Sequence, residues 1–157
     1  MEENDRLNYR FFEEYAFMRR GGFRGKRIDN DDWFIGRYIW PLFRHDGDQK
    51  TRLICLFDAE SNKSFHVYPE SICEFTGLVD KTGKKIFEGD IVKTKYGRLY
   101  IVVWFSSLEY NGWDLEVVRT SENYNTTRRP DSFDIYKKEN LEVVGNVHDN
   151  PELLREK

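Results

Sequence analysis

A mainly β fold is predicted: a small, partly open barrel or a pair of packed antiparallel sheets, with an amino-terminal helix and a short carboxy-terminal helix. Three observations carry this expectation. Aromatic residues make up 16% of the chain, with 12 Phe, 9 Tyr and 4 Trp, and these side chains favour strands and bring large buried areas. Apolar runs are of strand length and are separated by turn chemistry. The third is Glu74–Val92, EFTGLVDKTGKKIFEGDIV, which holds three turn devices in one stretch. Thr76-Gly77 and Asp80-Lys81-Thr82-Gly83 are places where the chain can reverse, because Gly accepts positive φ and Asp bonds the backbone ahead of it. Glu88-Gly89-Asp90 is the third, and it feeds the longest β-rich run.

From the amino terminus, residues 1–22 form a helical extension. Leu7, Phe11, Tyr15 and Met18 recur at helical spacing. Glu2, Glu3 and Asp5 precede Arg19 and Arg20, as the helix dipole prefers, and Gly21-Gly22 is a stop. Packing on the β domain is favoured over presentation to another subunit, since its aromatics would otherwise be exposed. Residues 23–28 and 33–40 read as strands joined by the polar turn 29–32. Both faces of Trp33–Trp40 are largely apolar, as in a strand covered on two sides, and Pro41 ends it. Residues 45–50, HDGDQK, read as a loop. Residues 52–58 and 64–68 form a second hairpin, and Pro69-Glu70-Ser71 either opens one helical turn or diverts the chain.

Leu78-Val79 and Ile86-Phe87 are the arms of the next hairpin. Residues 90–95 and 98–106 form another across Tyr96-Gly97. A Gly-Asp pair, two apolar residues, a Gly and then a long β run is the pattern of SH3-like small barrels, an analogy of fold alone. Residues 110–117 read as a strand in which Asn111-Gly112 is a tight turn or a bulge. Residues 119–131 lack hydrophobic period and read as a surface loop carrying Arg128-Arg129. A short strand follows at 133–136. The last strand, 141–147, places Leu141, Val143 and Gly145 on one face and Glu142, Val144 and Asn146 on the other. Asn150-Pro151-Glu152 then starts a helix, with Asn as cap and Pro in the first position, and 155–157 is a tail.

Several of these segments resemble the YopX family, small proteins known chiefly from bacteriophages and prophages. Thr76–Val92 is similar to its signature segment, and Val67–Ile72 to the stretch before it. Phe23–Lys26 with Trp33–Gly36 is similar to its opening hairpin, and Val144–Leu154 to its closing motif. The central motif is specific because glycines, acids and apolar residues fall in register together: Gly77, Asp80, Gly83, Gly89 and Asp90, joined by Gly145, Asn146, Asn150 and Pro151 at the end. The resemblance implies a β-rich domain of mobile-element origin over residues 23–154. It implies no chemistry and no catalytic residues.

Composition narrows the function classes. The formal net charge is −3 and the pI about 5.7, which argues against a dedicated duplex binder. No run reaches the 18 or more apolar residues of a membrane span, and a cytoplasmic protein is expected. Cys55 and Cys73 stand in apolar surroundings and read as small buried hydrophobes rather than a disulfide or metal pair. His45, His66 and His148 lack metal-site spacing. Asp80, Glu88 and Asp90 each have a structural reading as turn residues, which is preferred to acid–base work. No catalytic fingerprint is present, and neither cofactor nor metal is expected.

Two binding modes remain. The aromatic excess favours an accessory protein of phage or prophage origin that presents sheet edges and loops to a protein partner, from the host or the phage, or to another copy of itself. The alternative is single-stranded nucleic acid held by Lys81, Lys84, Lys85, Lys93, Lys95 and Arg98, with Tyr96 and Tyr100 among them. The competing explanation of those cations is a solvated sheet face protected by Lys.

Overall fold

The computed structural model describes residues 22–46, 49–108, 111–118 and 141–154. The expected amino-terminal helix, the loop 119–131, the strand 133–136 and the tail lie outside these residues. Eleven strands and two 3-10 turns run through them, arranged as three antiparallel sheets. Among the described residues no strand pairing closes a sheet into a barrel, so the barrel expectation gives way to open sheets. The chain divides into two compact units, the first ending at Phe75 and the second beginning at Thr76.

In the first unit, β1 (Phe23–Lys26) and β2 (Trp33–Gly36) form the expected hairpin, with Lys26 opposite Trp33. The turn is tied by Arg27 N–H donating to Asp32 O at 2.9 Å. A three-stranded sheet follows, in the order β3 (Tyr38–Asp46), β4 (Gln49–Asp58), β5 (Lys63–Val67). Trp33–Trp40 is therefore two strands rather than one. The chain bends at Arg37, whose N–H donates to Phe57 O at 2.9 Å, and β2 and β3 take different partners. Glycine permits this, because a Cβ on Gly36 would stand 2.6 Å from Phe57 O.

Pro41 lies inside β3, opposite Ile54, instead of ending the strand. β3 is an edge strand, so the N–H that proline lacks need not belong to the ladder. The expected loop 45–50 is likewise mostly strand: His45 pairs with Lys50, and Asp46 with Gln49. Cross-strand pairing overrides the weak β preference of these residues. Ile54, Leu56 and Val67 form the unit's core, with Phe23, Phe34, Ile39 and Ile72 against them. Pro69–Ser71 is a single 3-10 turn. Its Ser71 Oγ accepts from Lys26 N–H at 2.8 Å and donates to Tyr68 O at 2.7 Å.

β6 (Cys73–Val79) carries the chain from one unit to the next. Its first residues pair with β1, Cys73 opposite Arg24. Thr76-Gly77 is not a reversal; both residues lie within β6. Gly77 takes φ 85° there, while Thr76 Oγ1 donates to Ile86 O at 2.8 Å and keeps the strand paired through the irregularity. β7 (Lys85–Phe87) follows. The second unit's main sheet has the order β10 (Asn111–Val117), β9 (Leu99–Ser106), β8 (Asp90–Lys93), β11 (Glu142–Asn146).

Ile86, Val92, Tyr100, Val102, Leu115 and Leu141 make its core, joined by Leu78, Trp113, Val117 and Val143. Val92 and Val102 are fully buried, each stabilising the fold by about 1.5–3 kcal/mol.

Three further expectations change here. Asn111-Gly112 is neither turn nor bulge, for both residues pair regularly with Ser106 and Phe105. The bulge lies instead in β11, between Val143 and Gly145. It breaks the expected alternation, leaving Val144 exposed and Asn146 buried. The terminal α-helix is a 3-10 turn, Pro151–Leu154. Asn150 Oδ1 turns back to accept from Asn146 N–H at 3.3 Å and is thereby diverted from capping a helix.

Candidate binding surfaces

Alternation along the three-stranded sheet sorts its side chains. Ile39, Ile54, Leu56 and Val67 face the first unit's core. The residues between them, Tyr38, Trp40, Leu42, Leu53, Cys55 and Phe57, share the opposite face with Ser64 and His66. Phe57 meets two neighbours on that face, Tyr38 at 6.0 Å and Trp40 at 5.8 Å between ring centroids. Tyr38 is 37% exposed and Leu42 38%, although both are large and apolar.

Beside this face lies an open pocket of about 410 Å³ whose lining includes Ile28, Leu53, Cys55 and His66. Sequence reading misses Leu42 because Pro41 reads as the end of the strand. Period-two alternation in Tyr38, Trp40, Leu42 and in Leu53, Cys55, Phe57 is the signal that could have found the face.

The second unit gathers the basic residues. Asp80 is only 6% exposed and organises the turn before β7. Its Oδ1 accepts from Thr82 N–H at 2.8 Å, Thr82 Oγ1 at 2.7 Å and Lys84 N–H at 3.0 Å. Its Oδ2 accepts from Val143 N–H at 3.0 Å. Burial opposes its ionisation, but the Thr82 hydroxyl and the Val143, Lys84 and Thr82 amides outweigh it and lower its pKa to about 2. The same turn is held a second time by Lys81 N–H donating to Leu141 O at 2.9 Å.

Lys81 Nζ pairs with Glu142, and Glu142 stands opposite Lys93 across β11 and β8. The turn after Lys93 is closed by Thr94 N–H to Arg98 O at 2.9 Å and Gly97 N–H to Thr94 O at 3.0 Å. Lys81 and Lys93 thus flank Glu142 at one end of the sheet, Lys95 and Arg98 lie on the turn that follows Lys93, and Lys84 and Lys85 lead from the Asp80 turn into β7. All six are exposed. Tyr96 is 73% exposed at the tip, with Lys95 Nζ 4.8 Å from its ring centroid. Tyr100, grouped with these residues by sequence, is instead a core residue.

The remaining motif residues have structural occupations. Asp90 is fully buried, and its Oδ2 accepts from Phe87 N–H at 2.8 Å. Gly83 and Gly89 hold positive φ in their turns. Asn146 Oδ1 accepts from the amides of His148 and Asp149, both at 2.9 Å, while Nδ2 donates to Asp149. A Cβ on Gly145 would stand 2.5 Å from Asn150 Oδ1.

Asp80 and Asp90 occupy opposite ends of β7 and are not brought together. Both cysteines are buried and neither is in a disulfide; burial pushes the Cys55 thiol up, against a hydrogen bond with Ser64 that lowers it. Among the described residues no group of three or more His, Cys, Asp or Glu is placed to hold a metal ion. No helix among them is long and apolar enough to cross a membrane.

Comparison with known proteins places this arrangement. The family model described as YopX protein matches residues 22–155. The chain belongs to the YopX family. The matched span agrees with the resemblance read from the sequence to within a residue at each end. Thr76–Val92, the segment read as similar to the family's signature, runs from within β6 through the Asp80 turn and β7 into β8. The chain is similar to that in the crystal structure of protein EF1440 from Enterococcus faecalis, at 21% identity over 87% of this chain and 99% of that one, with a TM-score of 0.46. No curated protein matches the sequence.

Proposed function

We propose that this YopX-family chain is a phage- or prophage-encoded accessory protein of the cytoplasm, without catalytic activity, that acts by binding protein. The supporting observation is the aromatic face of the three-stranded sheet. One side of that sheet fills a core, while the other presents Tyr38, Trp40, Leu42, Leu53 and Phe57 from alternating, paired positions. Apolar patches of a few hundred Å² mark interaction sites. The occupant best suited to it is a second copy of the chain. Two such faces can pack about 10 Å apart as a sandwich.

The test is affinity capture of a tagged chain from prophage-induced cells that also make an untagged copy, with nuclease treatment throughout. Retention of the untagged copy by the wild type and its loss with Leu42→Glu supports the proposal. A different protein retained through the same face would replace the occupant and keep the mode of action. Recovery of nothing that Leu42→Glu alters would overturn it.

A further inference from the structure

The basic end of the second unit differs in chemistry from the aromatic face of the first. We infer that it is a binding site for single-stranded nucleic acid, with Lys84, Lys85, Lys93, Lys95 and Arg98 on the phosphates and Tyr96 beneath a base. The inference begins with a juxtaposition that the chain order does not dictate. Two turns, at 80–84 and 94–97, are fixed to the same end of the sheet. The first is held by Asp80 to Val143 N–H and by Lys81 N–H to Leu141 O. The second is held by the paired amides and carbonyls of Thr94, Gly97 and Arg98. Glu142 lies between them, bonded to Lys81 and opposite Lys93.

Among the described residues the local charge balance is cationic, despite the net charge of −3 for the whole chain. Glu142 offsets one cation, and Asp80 spends its carboxylate on backbone and Thr82 donors. Glu116 stands opposite Ile101, further along β9 from Leu99. Among the described residues cations outnumber acids here, and Lys and Arg neutralise phosphate with release of counterions.

Tyr96 supplies the second half of the chemistry. Its ring is held at the tip of a closed turn and is largely exposed. Lys95 lies over the ring, placing a phosphate-binding group beside a stacking platform. Base stacking on an aromatic residue tolerates any sequence and needs a base that is not already paired, which selects single strands. Gly97 keeps the approach open, since nothing lies within 4 Å of where its Cβ would be. A sheet that used Lys only to block edge pairing needs no exposed aromatic ring between the cations.

Fluorescence anisotropy with labelled oligothymidylate tests this, with a duplex of the same length and inorganic polyphosphate as comparison probes. Oligothymidylate should bind best, with affinity falling steeply between about 50 and 200 mM salt. Replacing Lys84 and Lys93 together by Glu should weaken binding at least about tenfold and flatten the salt slope by about 0.7 for each phosphate no longer neutralised. Tyr96→Ala should weaken oligothymidylate about tenfold and leave the salt slope unchanged. These residues are exposed, and unchanged thermal unfolding would confirm that the variants fold; Lys84→Gln with Lys93→Gln serves if the reversed charges do not. Absence of binding at low salt overturns the inference. So does equal binding of duplex or polyphosphate with no effect of Tyr96→Ala, which would describe an unspecific cationic surface.

Discussion

Asp80→Asn isolates what one carboxylate does for the second unit. The substitution preserves size and removes both the charge and one acceptor. In the wild type, Oδ1 accepts three hydrogen bonds within the turn, and Oδ2 accepts the single bond from Val143 N–H. An amide cannot satisfy both sides. If its oxygen serves the turn, its NH2 opposes the Val143 N–H; if it flips, three donors in the turn lose their acceptor. The lowering of the Asp80 pKa from 3.8 to about 2 is worth about 2 kcal/mol of stability at neutral pH for this buried group. A lost hydrogen bond to a charged acceptor costs about 1.5–3 kcal/mol. These overlap, since the Val143 bond is one cause of the shift, so Asp80→Asn should cost about 2–3 kcal/mol in all.

Urea unfolding at several pH values, with amide hydrogen exchange at Lys84 and Val143, is the assay. The folded pKa lies below the unfolded one, so the contribution is complete above about pH 4 and is lost as pH falls through 2. The gap between wild type and Asp80→Asn should therefore be full at pH 7 and close towards pH 2. Exchange at Val143 should rise in the variant. A gap below about 0.5 kcal/mol at pH 7, or one that does not change with pH, would refute the reasoning.

Two other substitutions test the packing. Gly36→Ala puts a Cβ 2.6 Å from Phe57 O and 2.9 Å from Leu56 Cγ; it should destabilise the first unit by about 1–3 kcal/mol, read by urea unfolding. Asn146→Ala removes the side chain that ties His148 and Asp149 to β11. It should cost about 2 kcal/mol and raise hydrogen exchange at the His148 and Asp149 amides.

The sequence made the hairpins legible because their turns carry their own chemistry. The bonds of Asp80 to Thr82 and Lys84, of Asp90 to Phe87, and the positive φ of Gly97 are local, and each of these turns stands where the residues place it. The family was legible for the same reason, since its signature is a run of such devices. What could not be read was set by partners distant in the chain. Pro41 looks like a strand end until β3 is known to be an edge strand. Trp33–Trp40 looks continuous until β2 and β3 are seen to take different neighbours. Asn111-Gly112 reads as a turn, yet seven successive residue pairs with β9 hold it in a strand.

The candidate surfaces divide in the same way. The cations are visible in the sequence as a cluster, but their convergence depends on Glu142 and Val143 from β11, and Tyr100 does not belong with them because its burial is a property of the sheet. The aromatic face was hidden by the misplaced end at Pro41.

Sedimentation equilibrium of the purified chain addresses the central claim most directly, comparing wild type with Leu42→Glu over a wide concentration range. The wild type should pass from monomer to dimer as concentration rises through the micromolar range, with Trp40 fluorescence altered in step, and Leu42→Glu should remain monomeric. A wild type that stays monomeric throughout, or a dimer untouched by Leu42→Glu, would contradict the assignment of this face to a second copy.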